Sequence, residues 1–468
     1  MNLKINYHNI YIIIFTSFFF LWGVSLYFPF LESNYLRENL SNFRLSYLIL
    51  LLIIPIFYSC LKKNFSSFNQ IFNFQKYIII FILSIVAHFF IIKIYYSEII
   101  SKSEIMNLSY LILLSVIYCH YRDFISDNFR KILTLYLIIF VLFSIFEGML
   151  IGSKINNHGQ CNNDLLLINL IQSYLKISLT NSIYLENSHL AMMTVAVFFS
   201  SLYVLVKEKK NDISFLLLFS IEVIIVLNNL STTYFVAYFF SHITLLLFFF
   251  KKLSIKYWII IFLFLFMNSY LFFSDKHCVV KITDFSLQDV SEDILDRGMS
   301  RGESNPNLTT GIYMRSIIVA KNTLMNHSLG WGIDGMDNAN YNLIKNYVDP
   351  DHSPLDSYDS SDFGEGFTTS VKNGALFHYR FLNMKDGLSN FLKMFTEFGI
   401  FTFIILFYFT KYMINIKDIS IYNLFIITLF ITLSIRGAGY FNGGFIFCLL
   451  EFFYHKKFTH KIKFVREN

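Results

Sequence analysis

The sequence predicts an all-α, polytopic membrane protein of about 12 transmembrane helices with one large extramembrane loop. Three observations carry this. Hydrophobic residues make up 55% of the 468 positions and charged residues only 15%, against roughly 25% charged in a soluble domain. Apolar runs of ~16–22 residues recur from end to end, close to the ~20 that cross a bilayer core. A single long polar stretch, residues 275–388, interrupts them, with 16 acidic residues, six lysines and four of the ten arginines. The chain therefore divides into a membrane domain (1–274, about nine spans), a loop domain (275–388), and a second membrane part (389–468, about three spans) ending in a basic tail. The mean hydropathy of +0.52, with 56 Phe and 30 Tyr, suits bilayer cores and interfaces.

Twelve spans are expected at about 9–30, 45–61, 77–96, 105–121, 132–152, 187–206, 213–229, 233–250, 257–274, 391–410, 419–435 and 440–454. The first is no cleavable signal peptide, since Tyr-Phe-Pro-Phe follows it instead of a small-residue cleavage site. The apolar segment 164–182 is read as an interfacial or re-entrant helix. Seventeen of the 28 lysines then fall on one face, which the positive-inside rule makes cytoplasmic. Both termini lie on that face and the large loop lies outside.

The arginines run the other way. Seven of ten fall outside: Arg37, Arg44, Arg297, Arg301, Arg315, Arg380 and Arg436. Insertion rules disfavour cations there. A guanidinium is a permanently charged, planar fork that grips phosphate in a bidentate way. The competing account is salt bridges to the acidic loop. Cys161 and Cys278 are the two cysteines expected outside, as a disulfide or as two free thiols. No metal-ligand spacing, internal repeat, or Walker or Rossmann glycine pattern is present. The acidic run 349–365 holds six carboxylates at irregular spacing, which reads as a solvated lid more readily than as a calcium site. Glu222 and His242 fall inside spans, where interhelical hydrogen bonding and transport chemistry are both open.

Four stretches at the outer ends of spans are candidates for chemistry. Glu186 and His189, three residues apart entering span six, share a helix face. They form an acid/base pair, or Glu186 sits at the positive end of a helix capped by Asn187 or Ser188. Ser231 and Thr232, with Thr233, enter span eight and either hold an anion with free backbone N–H groups or cap the helix. Arg315 stands in a helical segment that runs into Gly330-Trp331-Gly332 and Gly335. Glycines there let backbone approach a ligand, with Trp331 as a stacking surface, or make a tight loop around a buried tryptophan. The fourth stretch runs from Ser389-Asn390 to Glu397-Phe398-Gly399-Ile400, with Lys393 one turn before Glu397. It is joined by Arg436-Gly437-Ala438-Gly439-Tyr440 at the last outer turn.

In this order the stretches resemble the O-antigen polymerase and ligase superfamily. A Glu-Pro-Ser-x-x-Ala segment opening a span is matched by Glu186-Asn187-Ser188-His189-Leu190-Ala191, with Asn in place of Pro. The hydroxyl-rich span entrance, the large loop with an arginine-led helix and Gly-x-Gly turn, and the Glu-x-Gly-Ile return to the membrane follow. Ligases of that superfamily carry a histidine just before the Asn/Ser at the loop's end. Here Leu388-Ser389-Asn390 stands there, and the nearest histidine is His378. The polymerase branch is the better match. The resemblance implies a C-type, metal-independent glycosyltransferase of the bacterial inner membrane with its loop in the periplasm and no cofactor. It would extend an undecaprenyl-diphosphate-linked oligosaccharide. Arg315 and Arg436 would face the diphosphate, with Arg297, Arg301 and Arg380 next; Glu186 or His189 would be the base, with His378 behind them. Ser231, Thr232, Trp331, Glu397 and Tyr440 would contact substrate. Membrane lipids and a chain-length regulator are the further partners, and no nucleic acid is expected. Transfer of polymer to a lipid A–core acceptor, and transport of lipid-linked oligosaccharide by a flippase, are the alternatives.

Overall fold

The computed structural model describes residues 7–17, 19, 52–54, 56, 76–96, 102–151, 187–207, 213–228, 232–273, 308–333, 335–336, 338–339, 342, 389–437 and 444–454. Among them every regular element is helical. In chain order these are α1 (Tyr7–Thr16), α2 (Lys76–Tyr96), α3 (Lys102–Ile151), α4 (Asn187–Lys207), α5 (Ile213–Asn228), α6 (Thr232–Phe249), α7 (Ile255–Phe273), α8 (Leu308–Asn326), α9 (Asn390–Phe398), a 3-10 turn (Gly399–Phe401), α10 (Thr402–Asn415), α11 (Ile421–Ile435) and α12 (Phe445–Phe453).

Two stretches among the described residues are long and apolar enough to cross a membrane, Lys76–Tyr96 and Asn390–Asn415, and five further apolar helices are shorter. Ile80, Leu83, Phe90 and Ile94 of α2 and Phe403 and Phe407 of α10 are exposed. Large apolar side chains facing outward along a helix suit lipid rather than water.

α11 is the wall between two apolar cores. Tyr422, Phe425, Phe430 and Leu433 pack with α1, α3 and α12. Leu424, Ile427 and Ile431 pack with α4, α6 and α7. A helix buried on all sides must be apolar all round, and Ile421–Ile435 is so apart from hydroxyls and one Asn. Thr428 and Thr432 return their hydroxyls to Leu424 O and Thr428 O, at 2.7 and 2.8 Å.

Side-chain ties give the bundle two distinct ends. Tyr203 Oη donates to Ile419 O at 2.6 Å, so the end of α4 meets the start of α11 and the two run antiparallel. Lys252 Nζ, just past α6, donates to Ile416 O, so α6 runs parallel to α4. At about 1.5 Å per residue, Asn187 and Ile435 lie level with each other, each about 24 Å from the tie. α2 runs the same height: Phe81 stacks on Phe453 at 4.2 Å, and at the other end Tyr96 stacks on Trp331 at 5.5 Å. One end, the basic end, gathers Lys76, Arg122, Lys207, Lys252 and Lys411. The other, the loop end, gathers the starts of α4 and α6, the end of α11 and the loop.

One expectation is corrected here. The separate spans 105–121 and 132–152 are a single uninterrupted helix of 50 residues, α3. At about 1.5 Å per residue it is ~75 Å long, more than twice a bilayer core. The intervening Arg122-Asp123-Phe124-Ile125-Ser126-Asp127-Asn128 contains neither Gly nor Pro, so nothing breaks the ladder where a reversal was expected. Arg122 is not a loop cation. Its Nη2 and Nε donate to Glu451 Oε1 and Oε2 of α12, at 2.6 and 3.1 Å.

Candidate functional site

α8 ends at Asn326, and the chain then folds back tightly. His327 N bonds Thr323 O at 2.7 Å, and Gly330 N bonds His327 O at 2.6 Å. Gly330 and Gly332 take φ of 86° and 80°, a region that L side chains rarely occupy. The segment they bracket lies against the end of α9. Trp331 N donates to Thr396 O at 3.0 Å, Gly332 N to Glu397 O at 2.9 Å, and, in return, Ile400 N to Ser328 O at 2.9 Å. The carbonyls that a helix leaves unpaired in its last turn are thus filled by the loop.

The two backbones touch with no room for a side chain. A Cβ on Gly330 would stand 2.3 Å from Glu397 O, and one on Gly399 would stand 2.0 Å from Ser328 O. Gly399 itself has φ 53° and ψ −128°. This clasp rests on α2. His88 Nε2 donates to Leu329 O at 2.7 Å, Tyr96 Oη and His327 Nδ1 are hydrogen-bonded at 2.9 Å, and Ile92 lies against Gly332. Partial burial holds the His327 imidazole below the usual histidine pKa.

Trp331 is 7% exposed, parallel to Tyr96 and 4.2 Å from the His327 ring. Neighbouring rings take much of its contact area, as the reading of a tight loop around a buried tryptophan expects.

α9 begins with Ser389, whose Oγ accepts from Leu392 N at 3.2 Å and donates to Ser434 O at 2.5 Å. The start of α9 is thereby fixed to the end of α11. A Cβ on Gly437 would lie 2.2 Å from Asn390 Nδ2, so the segment after α11 presses on α9. Asn390, Lys393 and Glu397, spaced three and four apart, form one stripe of α9. All three are buried. Lys393 Nζ and Glu397 Oε1 are 3.8 Å apart, so Glu397 has the helix partner that its spacing offered. Arg436, half-buried, caps α11, its N bonded to Thr432 O at 2.9 Å.

The structure thus brings together the loop turn, the return helix and Arg436. His189 lies in the first turn of α4 and Thr232 opens α6, both helix starts at this same end. Arg315 lies within α8, which packs against α9 and whose buried Val319 clusters with Trp331, Met336 and Ala339. Glu186, Ser231, Arg297, Arg301, His378, Arg380, Tyr440, both outer cysteines and the acidic run lie outside the described residues. Glu222 is buried on α5, and His242 lies on α6 with its ring 4.7 Å from that of Phe262. The sequence reading missed His88 and Tyr96. Their signal was a histidine in an otherwise apolar span and an aromatic pair at its end.

No protein-family model matches the chain, and no curated protein or solved structure is significantly similar to it.

Proposed function

We propose that this protein polymerises undecaprenyl-diphosphate-linked oligosaccharide repeats into a surface polysaccharide at the loop end of the bundle. The observation that carries this is the clasp. It holds an arginine-bearing loop helix on the membrane-return helix, beside Arg436 and a buried Asn390–Lys393–Glu397 stripe. A glycosyl transfer from a lipid diphosphate needs such a meeting of cations and membrane edge. The bond from the anomeric carbon to the donor phosphate breaks, and the diphosphate leaves with added negative charge. Arg436 and Arg315 stabilise that charge as permanent cations. The acceptor hydroxyl attacks the anomeric carbon and gives its proton to a base. His189, in the first turn of α4, and Glu186, three residues before it in the sequence, are the candidates for that base. The stripe of α9 orients the chains that enter between helices.

Purified protein with a lipid-linked repeat and no added nucleotide is the test. We expect dimers and longer oligomers on the carrier, loss of extension in Arg436→Ala, and partial recovery in Arg436→Lys, which restores charge without the fork. Activity that appears only with a lipid A–core acceptor would assign the chain to the ligases. Wild-type extension unchanged in Arg436→Ala at normal expression would remove the arginine from the mechanism.

A further inference from the structure

We propose that the cavity at the basic end of the bundle binds the phosphate headgroup of an anionic membrane phospholipid. The cavity is about 740 Å³, lined by α2, α3, α10, α12 and the turn between α10 and α11. It lies at the opposite end from the clasp and takes no part in the proposed chemistry.

Its floor has no positive charge to spare. Arg122 donates two hydrogen bonds to Glu451 and one to Asp123 at 3.2 Å. Glu451 also accepts from Tyr118 and from Tyr422 at 3.2 Å. The Arg122 guanidinium packs 4.4 Å from the Tyr454 ring. Neither ion has attraction to spare for a ligand.

The rim is different. Lys411 and Lys417 line the cavity and are exposed. Neither makes an ion pair among the described residues. Lys411 Nζ sits 5.4 Å over the Tyr408 ring, at the cavity wall. One carboxylate, Asp418, shares the rim with the two lysines. Asn423 Nδ2 donates to Tyr412 Oη at 3.2 Å, so the Tyr412 hydroxyl proton is free to donate to an anion's oxygen.

The surroundings choose a lipid over a soluble anion. Phe407, one turn before Lys411, is 61% exposed, and Ile414, one turn after Lys411, is 65% exposed. Ile80, one turn from Lys76, is 55% exposed. Exposed apolar side chains therefore flank Lys411 on both sides. Acyl chains can lie along Phe407 and Ile80 while the phosphate reaches the lysines. Basic pockets between spans on the cytoplasmic side take anionic headgroups in this manner.

The test is native mass spectrometry of the full chain, titrated separately with phosphatidylglycerol, phosphatidylcholine and inorganic phosphate. We expect retained phosphatidylglycerol, and affinity about thirtyfold lower in the double variant Lys411→Ala/Lys417→Ala, as two surface lysines each contribute several-fold. Lys256→Ala, exposed at the same end but off the cavity, should bind as wild type. Thermal melts of the lipid-free double variant should match wild type, since both lysines are exposed. Three outcomes would overturn the proposal: undiminished phosphatidylglycerol binding in the double variant, equal retention of phosphatidylcholine, or displacement of phosphatidylglycerol by millimolar inorganic phosphate.

Discussion

Gly399→Ala should open the clasp without unfolding the bundle. The added Cβ would lie 2.0 Å from Ser328 O and 2.7 Å from Gly330 N, both backbone atoms that cannot rotate away. The φ of 53° with ψ of −128° adds about 1–3 kcal/mol of strain for an L side chain. Relief requires Ser328–Gly332 to part from residues 396–400. That forfeits the three clasp hydrogen bonds, each about 0.5–1.5 kcal/mol net. Opening relieves the strain, so the latched state is disfavoured relative to the open one by at least that strain, about 1–3 kcal/mol. A shift of that size changes the latched-to-open ratio about five- to 150-fold. Gly332→Ala is the contrast. Its new Cβ would meet only the Ile92 side chain, at 3.3 Å, so positive φ is the main cost, about 1–2 kcal/mol. The readout is acrylamide quenching of Trp331 in a chain whose other two tryptophans, Trp22 and Trp258, are replaced by Phe. Quenching should rise strongly in Gly399→Ala, less in Gly332→Ala, and polymer length should fall in the same order. Equal, wild-type quenching in both variants would refute the account of the clasp.

Glu451→Gln removes the buried carboxylate from Arg122 and leaves it only the exposed Asp123, which should cost up to about 3–5 kcal/mol, read as a lower melting temperature in detergent. Replacing both members with Arg122→Met and Glu451→Leu should recover most of it. Ser126→Pro sits in the middle of α3 and should cost about 3 kcal/mol in an uninterrupted helix; an unchanged melt would restore a turn between two spans. His327 shares a hydrogen bond with Tyr96 at Nδ1, and its partial burial disfavours the charged ring. With its folded pKa held low by burial, stability from the neutral ring is present above the free histidine value of about 6.5 and is lost as pH falls below it. Trp331 quenching should therefore rise on acidification, and His327→Gln should flatten that profile.

Most helices were legible because long apolar runs bounded by polar residues mark them directly. The expected spans 213–229, 233–250 and 419–435 differ from the observed helices by a residue or two. The exception is α3. Its polar middle reads as an interfacial turn, yet Arg122 is neutralised by a glutamate 329 residues away. No local pattern announces a partner at that separation. The candidate site was legible in part for the same reason. Lys393 and Glu397 stand one turn apart, so their pairing followed from spacing. That Gly330 and Gly399 face each other did not, because each glycine is ordinary alone and only the packing of α8 on α9 makes both obligatory. Trp331 carried two readings, and tertiary contact with α2 favours the buried one.

The break at Gly399 and the descent of the loop require each other. A helix that stops inside a bilayer leaves carbonyls with no water to bond, at several kcal/mol each. Thr396 O and Glu397 O escape this because Trp331 N and Gly332 N reach them. A loop that enters the bundle has the same problem in its N–H groups, and the broken helix supplies the acceptors. Contacts with α2 measure the depth. Tyr96 holds His327 and His88 holds Leu329 O, eight residues lower, or about 12 Å along the helix. Arg436 follows the end of α11, and α8 leads down from above. If the lipid diphosphate lies in the headgroup layer, it stands over the clasp rather than beside it, and sugars attached to it extend away from lipid. The clasp is then the floor of the proposed site: it fixes α8 relative to α9 and α11.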